Sequence, residues 1–222
     1  MGKLVDTSIQ SNAPGSTSHG YAWVPPGLNR MKVHHIFSLY LFKVEEYMAQ
    51  LPNHVVPRIN STGEKYREKQ LMLQLPRQDL SVAYCKHLSN NVERKFFEEF
   101  INARNEIALD IGFVCPYISK QMECRKCSGV LEKNEMAVMA PKLGENCGWH
   151  PACFICTTCE QLLIDLTYCV RDSLIYCERH YAELYKPRCN ACDEVYFSYI
   201  SMAIMFLIYC IYLIIMAFLP NV

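Results

Sequence analysis

Cys124-Arg-Lys-Cys127, His150-Pro-Ala-Cys153-Phe-Ile-Cys156-Thr-Thr-Cys159 and Cys177-Glu-Arg-His180 decide how this chain folds. They contain four pairs of metal-ligand side chains, each pair with two residues between its members. That spacing lets both members reach one tetrahedral ion from one tight turn, because zinc–sulfur and zinc–nitrogen bonds are only about 2.0–2.3 Å long. Twenty-two residues separate the first two pairs and seventeen the last two. The natural division puts Cys124, Cys127, His150 and Cys153 on one zinc, and Cys156, Cys159, Cys177 and His180 on a second. Each ion is then fully coordinated by protein, so both are structural and neither has an open position for water or substrate.

Two bland readings compete with this one. Free cysteines are often small buried hydrophobes, but eight ligands at these spacings rarely arise by accident. Disulfides need an oxidising compartment, and residues 1–20 lack the apolar run of a secretory signal. The cluster resembles a LIM domain, and Trp149 before the histidine and Phe154 after Cys153 match that family as well. A RING finger is the sharper rival. Cys124, Cys127, Cys147, His150, Cys153, Cys156, Cys177 and His180 also fit a cross-braced pattern, which implies a ubiquitin ligase and leaves Cys159 spare. The run Cys153-x-x-Cys156-x-x-Cys159 favours LIM, because it hands the chain directly from one zinc to the next. Trp149, Phe154, Leu162 and Leu163 are expected to fill the seam between the zinc modules, and Arg125, Lys126 and Arg179 to donate hydrogen bonds to the thiolates.

The 222 residues hold 22 basic and 22 acidic side chains and 13 cysteines, most of these between Cys124 and Cys192. Six thiolates and two zinc ions make that unit about two charges more negative than the side-chain count. Neutral overall charge with dispersed basic residues argues against nucleic acid. A zinc-finger nucleic-acid binder is therefore the weakest alternative.

Residues 1–20 are rich in Ser, Gly, Thr and Asn and are expected to be disordered. Met1-Gly2 invites myristoylation, but Asp6 stands where that signal has Ser or Thr. Tyr21-Ala-Trp-Val-Pro-Pro-Gly27 reads as an extended entry strand. Met31–Phe42 is apolar and carries His34 and His35, read as non-ligands because no second pair stands nearby. Val44–Leu51 reads as a short helix ended by Pro52, and Ser61 with Glu64 as a capping box before a helix over Lys65–Leu75. Asp79 is placed to cap a short helix through Val82 and Leu88. Asn90 with Glu93 caps the clearest helix, Val92 to about Ile111, with Val92, Phe96, Phe97, Phe100, Ile101, Ile107 and Ala108 on one face and Gly112 at its end. Cys85 and His87, two apart, would not share a helix face. No nucleophile stands with a base, so this region reads as non-enzymatic.

Tyr21-Ala-Trp-Val-Pro-Pro-Gly27, Tyr47-Met48, Leu51-Pro52, Gly63-Glu-Lys-Tyr-Arg67, Lys69-Gln-Leu71, Gln74-Leu-Pro76, Tyr84-Cys85 and Ala108-Leu109 resemble a PET domain. In the prickle, espinas and testin proteins PET directly precedes LIM. General similarity inclines the reading to a testin-like member. The expected fold is thus α plus small zinc-stabilised β: a helical PET domain over 21–115, with 29–43 as an insertion, then a two-zinc LIM domain over 122–186. The resemblance implies a scaffold binding cytoskeletal proteins at adhesions if testin-like, or polarity proteins at the cell cortex if prickle-like. Either is cytoplasmic.

The chain then departs from the family. Cys189-Asn-Ala-Cys192-Asp-Glu194 starts a second LIM domain over 187–194, but Val195–Leu219 carries no charge. Twenty-five such residues would span about 37 Å as a helix, enough to cross a bilayer. Lys186 and Arg188 before them would keep the zinc unit cytosolic. The tail over 195–222 is expected to be a hydrophobic helix and a candidate membrane anchor.

Overall fold

The computed structural model describes residues 20–28, 37–88 and 90–197. Helices α1 (Phe37–Ala49), α2 (Thr62–Gln74) and α3 (Asn91–Ala103) form the first half. Strands β1 (Leu109–Ile111), β2 (Phe113–Cys115), β3 (Met122–Glu123), β4 (Val130–Leu131), β5 (Ala137–Met139), β6 (Gly148–Trp149), β7 (Thr167–Arg171) and β8 (Leu174–Tyr176) follow, then helix α4 (Glu178–Glu183). The strands make three small antiparallel sheets, ordered β1-β7-β8, β2-β5-β6 and β3-β4.

Local chemistry sets the helix starts. Ser61 Oγ accepts the Glu64 amide at 3.3 Å, and Glu64 Oε2 accepts the Asn60 amide at 2.6 Å. Asn90 Oδ1 accepts the Glu93 amide at 2.8 Å. Each cap satisfies amides that the first helical turn leaves unpaired. Val44, Tyr47 and Met48, at three- and four-residue steps, bury one face of α1. That helix begins at Phe37, so 37–43 is continuous with it, and buried Lys43 lies 4.2 Å above the Tyr117 ring while pairing with Glu46. His34, His35 and the rest of 29–36 lie outside the described residues, as do 1–19.

The long helix expected to Ile111 is corrected. It ends at Ala103, widens into a π turn over Arg104–Ala108, and passes directly into β1. On α3, Phe97 and Ile101 are buried, whereas Val92 is 61 % and Phe96 46 % exposed, and Ile107 beyond it is 75 % exposed. The apolar stripe is wider than the face it covers. Gly112 is no helix cap. It is the crossing point between β1 and β2, where its amide donates to Leu166 O at 2.8 Å. A Cβ there would lie 3.1 Å from Met139 O and 3.3 Å from the Phe154 ring.

Through this crossing the first half docks on the second. β1 pairs with β7, Leu109 opposite Cys169, and β2 pairs with β5, Val114 opposite Val138. Each zinc module's sheet thereby receives one edge strand from the PET side, so the edges of β5 and β7 facing that side are covered and not free to pair with a partner. Pro26 O accepts the Val114 amide at 2.8 Å, which brings the Pro-Pro-Gly segment onto β2. One apolar core runs from Tyr21, Val44 and Met48 through Val114 and Val138 to Trp149, Phe154 and Tyr168. A second holds Leu88, Phe97, Ile101, Ala182, Val195 and Phe197. Val195 and Phe197 are therefore core residues, and the expected hydrophobic helix lies from 198 onward outside the described residues. Among the described residues, no helix is long and apolar enough to cross a membrane.

Candidate metal centres

The eight side chains singled out by spacing come together in two groups. Cys124, Cys127, His150 and Cys153 form one, and Cys156, Cys159, Cys177 and His180 the other, with all ligand atoms in each group within 4.8 Å of one another. In the first, His150 Nδ1 lies 3.4 Å from Cys127 Sγ and 3.8 Å from Cys153 Sγ. In the second, His180 Nδ1 lies 3.7 Å from Cys156 Sγ and 3.1 Å from Cys177 Sγ. A tetrahedral ion with bonds of about 2.3 Å to sulfur and 2.0–2.1 Å to nitrogen requires an S···N separation of about 3.6 Å. The donor sets fit zinc.

Backbone turns place the thiols. Cys124 donates its amide to Gly129 O at 2.8 Å and accepts from Ser128 at 2.9 Å, with Ser128 at φ 57°. Cys156 repeats this with Gln161 and Glu160, both at 2.9 Å, with Glu160 at φ 56°. His150 stands just before the turn Pro151–Cys153, and His180 lies in the first turn of α4. The other ring nitrogen of His180 faces Glu183 at 3.9 Å, an orienting charge behind the ligand.

The thiols already share their protons. The Cys177 thiol donates to Cys156, lowering Cys156 to about 3, and the same contact raises Cys177. Burial pushes Cys124 upward, but backbone donors at Cys127, His150 and Lys126 outweigh it and bring the thiol down to about 7. Deprotonated sulfur is the form that binds metal.

Cys147 lies outside both groups and points its thiol at Leu143 O, 3.0 Å away, while Cys159 lies inside the second group. A RING pairing requires the reverse. Phe154 is fully buried between Trp149 and Tyr168, with ring centroids 5.4 and 5.6 Å away and edge-to-face geometry. Leu163 is buried beside them. Two of the three basic residues expected beside the thiolates act elsewhere. Arg179 grips Asp193 at 2.7 and 2.6 Å and donates to Leu73 O, and Lys126 faces Glu160 at 3.8 Å.

Sequence reasoning missed the polar seam between the two halves. Arg67 forks onto Asp165. Buried Gln74 donates to Leu162 O and accepts from the Ile164 amide, both at 2.9 Å. Arg104 lies 2.8 Å from Glu178, both nearly inaccessible, and burial raises the Glu178 carboxyl despite the arginine. Asp79, expected as a helix cap, pairs instead with Arg188. Glu194 accepts the amides of Lys86 and His87 at 2.7 and 3.0 Å. These partners stand 74 to 109 residues apart, and no local pattern signals such pairs.

A PET Domain family model matches residues 3–115, and a LIM domain model matches 124–185. The chain belongs to the PET–LIM family. Among its PET–LIM relatives, protein espinas of Drosophila pseudoobscura pseudoobscura is 45 % identical over 184 residues, 83 % of this chain and 22 % of the relative. Protein prickle of Drosophila melanogaster is 42 % identical over 197 residues, 87 % of this chain and 14 % of the relative. Human prickle-like protein 1 is 41 % identical over 194 residues, 86 % of this chain and 22 % of the relative. The chain thus spans less than a quarter of each relative's length. These are prickle and espinas proteins, and the testin-like inclination finds no support in them. No solved structure matches the chain.

Proposed function

We propose that this PET–LIM chain is a non-enzymatic adaptor, held in shape by two structural zinc ions, that joins protein partners in planar cell polarity. The observation that carries the reading is the 41–45 % identity to prickle and espinas proteins across 83–87 % of the chain. The zinc ligands are Cys124, Cys127, His150 and Cys153, then Cys156, Cys159, Cys177 and His180. Four protein donors on each ion leave it a folding role, since a finger this short buries too little apolar area to fold without metal. With one edge of each zinc sheet covered by β1 and β2, partner contact falls to the other faces. Val92, Phe96 and Met72 are exposed apolar side chains on α3 and α2 suited to it.

Proximity labelling in a polarised epithelium tests this. Enrichment of polarity proteins at the cortex, lost in Cys177→Ser, is the expected result. Enrichment of actin-linked adhesion proteins instead would replace the polarity role with a testin-like one, and ubiquitin chains built by the purified chain would restore the RING reading. The working location is the cytoplasmic side of the cell cortex, with the apolar tail beyond the buried Val195 and Phe197 as a membrane contact. Retention in the pellet after carbonate extraction supports that contact, and release of the full chain removes it.

A further inference from the structure

The knuckle that opens the second LIM domain is built to completion. Cys189 donates its amide to Glu194 O at 2.8 Å and accepts from Asp193 at 2.9 Å, with Asp193 at φ 63°. This is the same turn, residue for residue, as those at Cys124 and Cys156, each with the fifth residue accepting and the fourth in left-handed backbone. Such a turn aims two thiols at one point. Beyond Glu194, residues 195–222 contain one cysteine, Cys210, and no histidine, aspartate or glutamate.

The PET side meets them instead. His87, Cys192 and Glu194 bring their ligand atoms within 4.8 Å of one another. His87 Nδ1 lies 3.2 Å from Glu194 Oε1. A tetrahedral ion bonded to nitrogen and carboxylate oxygen at about 2.0–2.2 Å sets them about 3.3–3.5 Å apart. The Glu194 side chain is 7 % exposed and is held in place by the Lys86 and His87 amides. The Cys189 thiol contacts that of Cys192 and the Tyr196 hydroxyl and stands outside the group, so its side chain must turn toward Cys192 to join as a fourth donor.

We propose that His87, Cys192 and Glu194, with Cys189 as fourth donor, hold a third metal ion that clasps the PET domain to the knuckle after the LIM domain. Thiolate and imidazole donors with a carboxylate select zinc over magnesium or calcium. The ligands come from 87 and from 189–194, so the ion closes a loop of about a hundred residues around the whole LIM unit. The proposal rests on the two LIM zincs being present, and the variants separate the two ideas.

The test is zinc content of the full chain, purified in detergent and measured by elemental mass spectrometry after equilibration with micromolar zinc. Three ions per chain are expected. His87→Ala and Glu194→Gln should each bind two, with helix content by circular dichroism unchanged, because His87 is exposed and the glutamine, which keeps one of the two amide hydrogen bonds, lies outside every helix. Cobalt substitution should add a thiolate charge-transfer band that His87→Ala weakens. Cys159→Ser reports on the LIM site alone: its failure to lower the count would undo the two-zinc assignment, not this one. Two ions in the unaltered chain, or three in both His87→Ala and Glu194→Gln, would overturn the clasp and leave His87 as a hydrogen-bond donor to Glu194.

Discussion

Arg188 grips Asp79 across 109 residues of sequence, with Nη2 2.6 Å from Oδ2 and Nη1 3.0 Å from Oδ1. The two side chains are 6 % and 1 % exposed. The flat guanidinium matches both carboxylate oxygens at once, and Arg188 also donates to Asp193 O at 2.7 Å. Counted in the sequence as a charge flanking the apolar tail, Arg188 is spent inside the protein. Removing one partner strands the other charge out of water. Arg188→Ala should therefore cost about 3–5 kcal/mol in chemical denaturation, and Arg188→Lys should not recover it, since a lysine lacks the fork. A change below about 0.5 kcal/mol would mean the pair does not form.

Metal removal should unfold the second half first. Chelator treatment of the full chain is expected to abolish the near-ultraviolet signal of Trp149, packed on Phe154 beside the first zinc group. Cys159→Ser should lower the zinc count by one, whereas Cys147→Ser, whose thiol contacts only the Leu143 carbonyl among the hydrogen bonds described, should leave it unchanged.

Helix α3 separates a buried from an exposed apolar face. Phe97→Ala should cost about 3–5 kcal/mol, because its ring sits 5.6 Å from Phe197 inside the second core. Phe100 is only partly buried, so Phe100→Ala should cost clearly less. Val92→Ser should change stability by under about 0.5 kcal/mol. Thermal melts of the three variants give the order directly, and equal losses would contradict this packing.

Gly27 should resist replacement. It adopts φ 90°, and a Cβ there would fall 2.2 Å from Val114 O, the carbonyl of the strand it rests on. Gly27→Ala combines a disfavoured backbone region with a clash against backbone, and should destabilise by more than about 1 kcal/mol. The matched control is Gly144→Ala, also at positive φ (103°) but with open space around it. It should cost less.

The two metal groups were legible because zinc coordination writes itself into short spacings. Two thiols on one ion must come from one tight turn, and that turn needs its residues in a fixed local order. Asn90 and Ser61 were legible for the same reason, since caps are properties of neighbours in sequence. The end of α3 was misread because Ile107 and Ala108 continue the helical period, while the demand that overrides it, edge pairing of Leu109 with Cys169, lies sixty residues on.

By itself, then, the sequence determined the family, the eight zinc-ligand candidates, their division in two and the caps of α2 and α3, all set by residues a few positions apart. Only the tertiary structure decided that β1 and β2 belong to the zinc modules' sheets, that Asp79 is an ion-pair partner and not a cap, that Val195 and Phe197 are core, and that His87 faces Cys192 and Glu194. Those outcomes depend on which distant groups the docked surfaces bring within a few ångströms, and no local spacing carries that information.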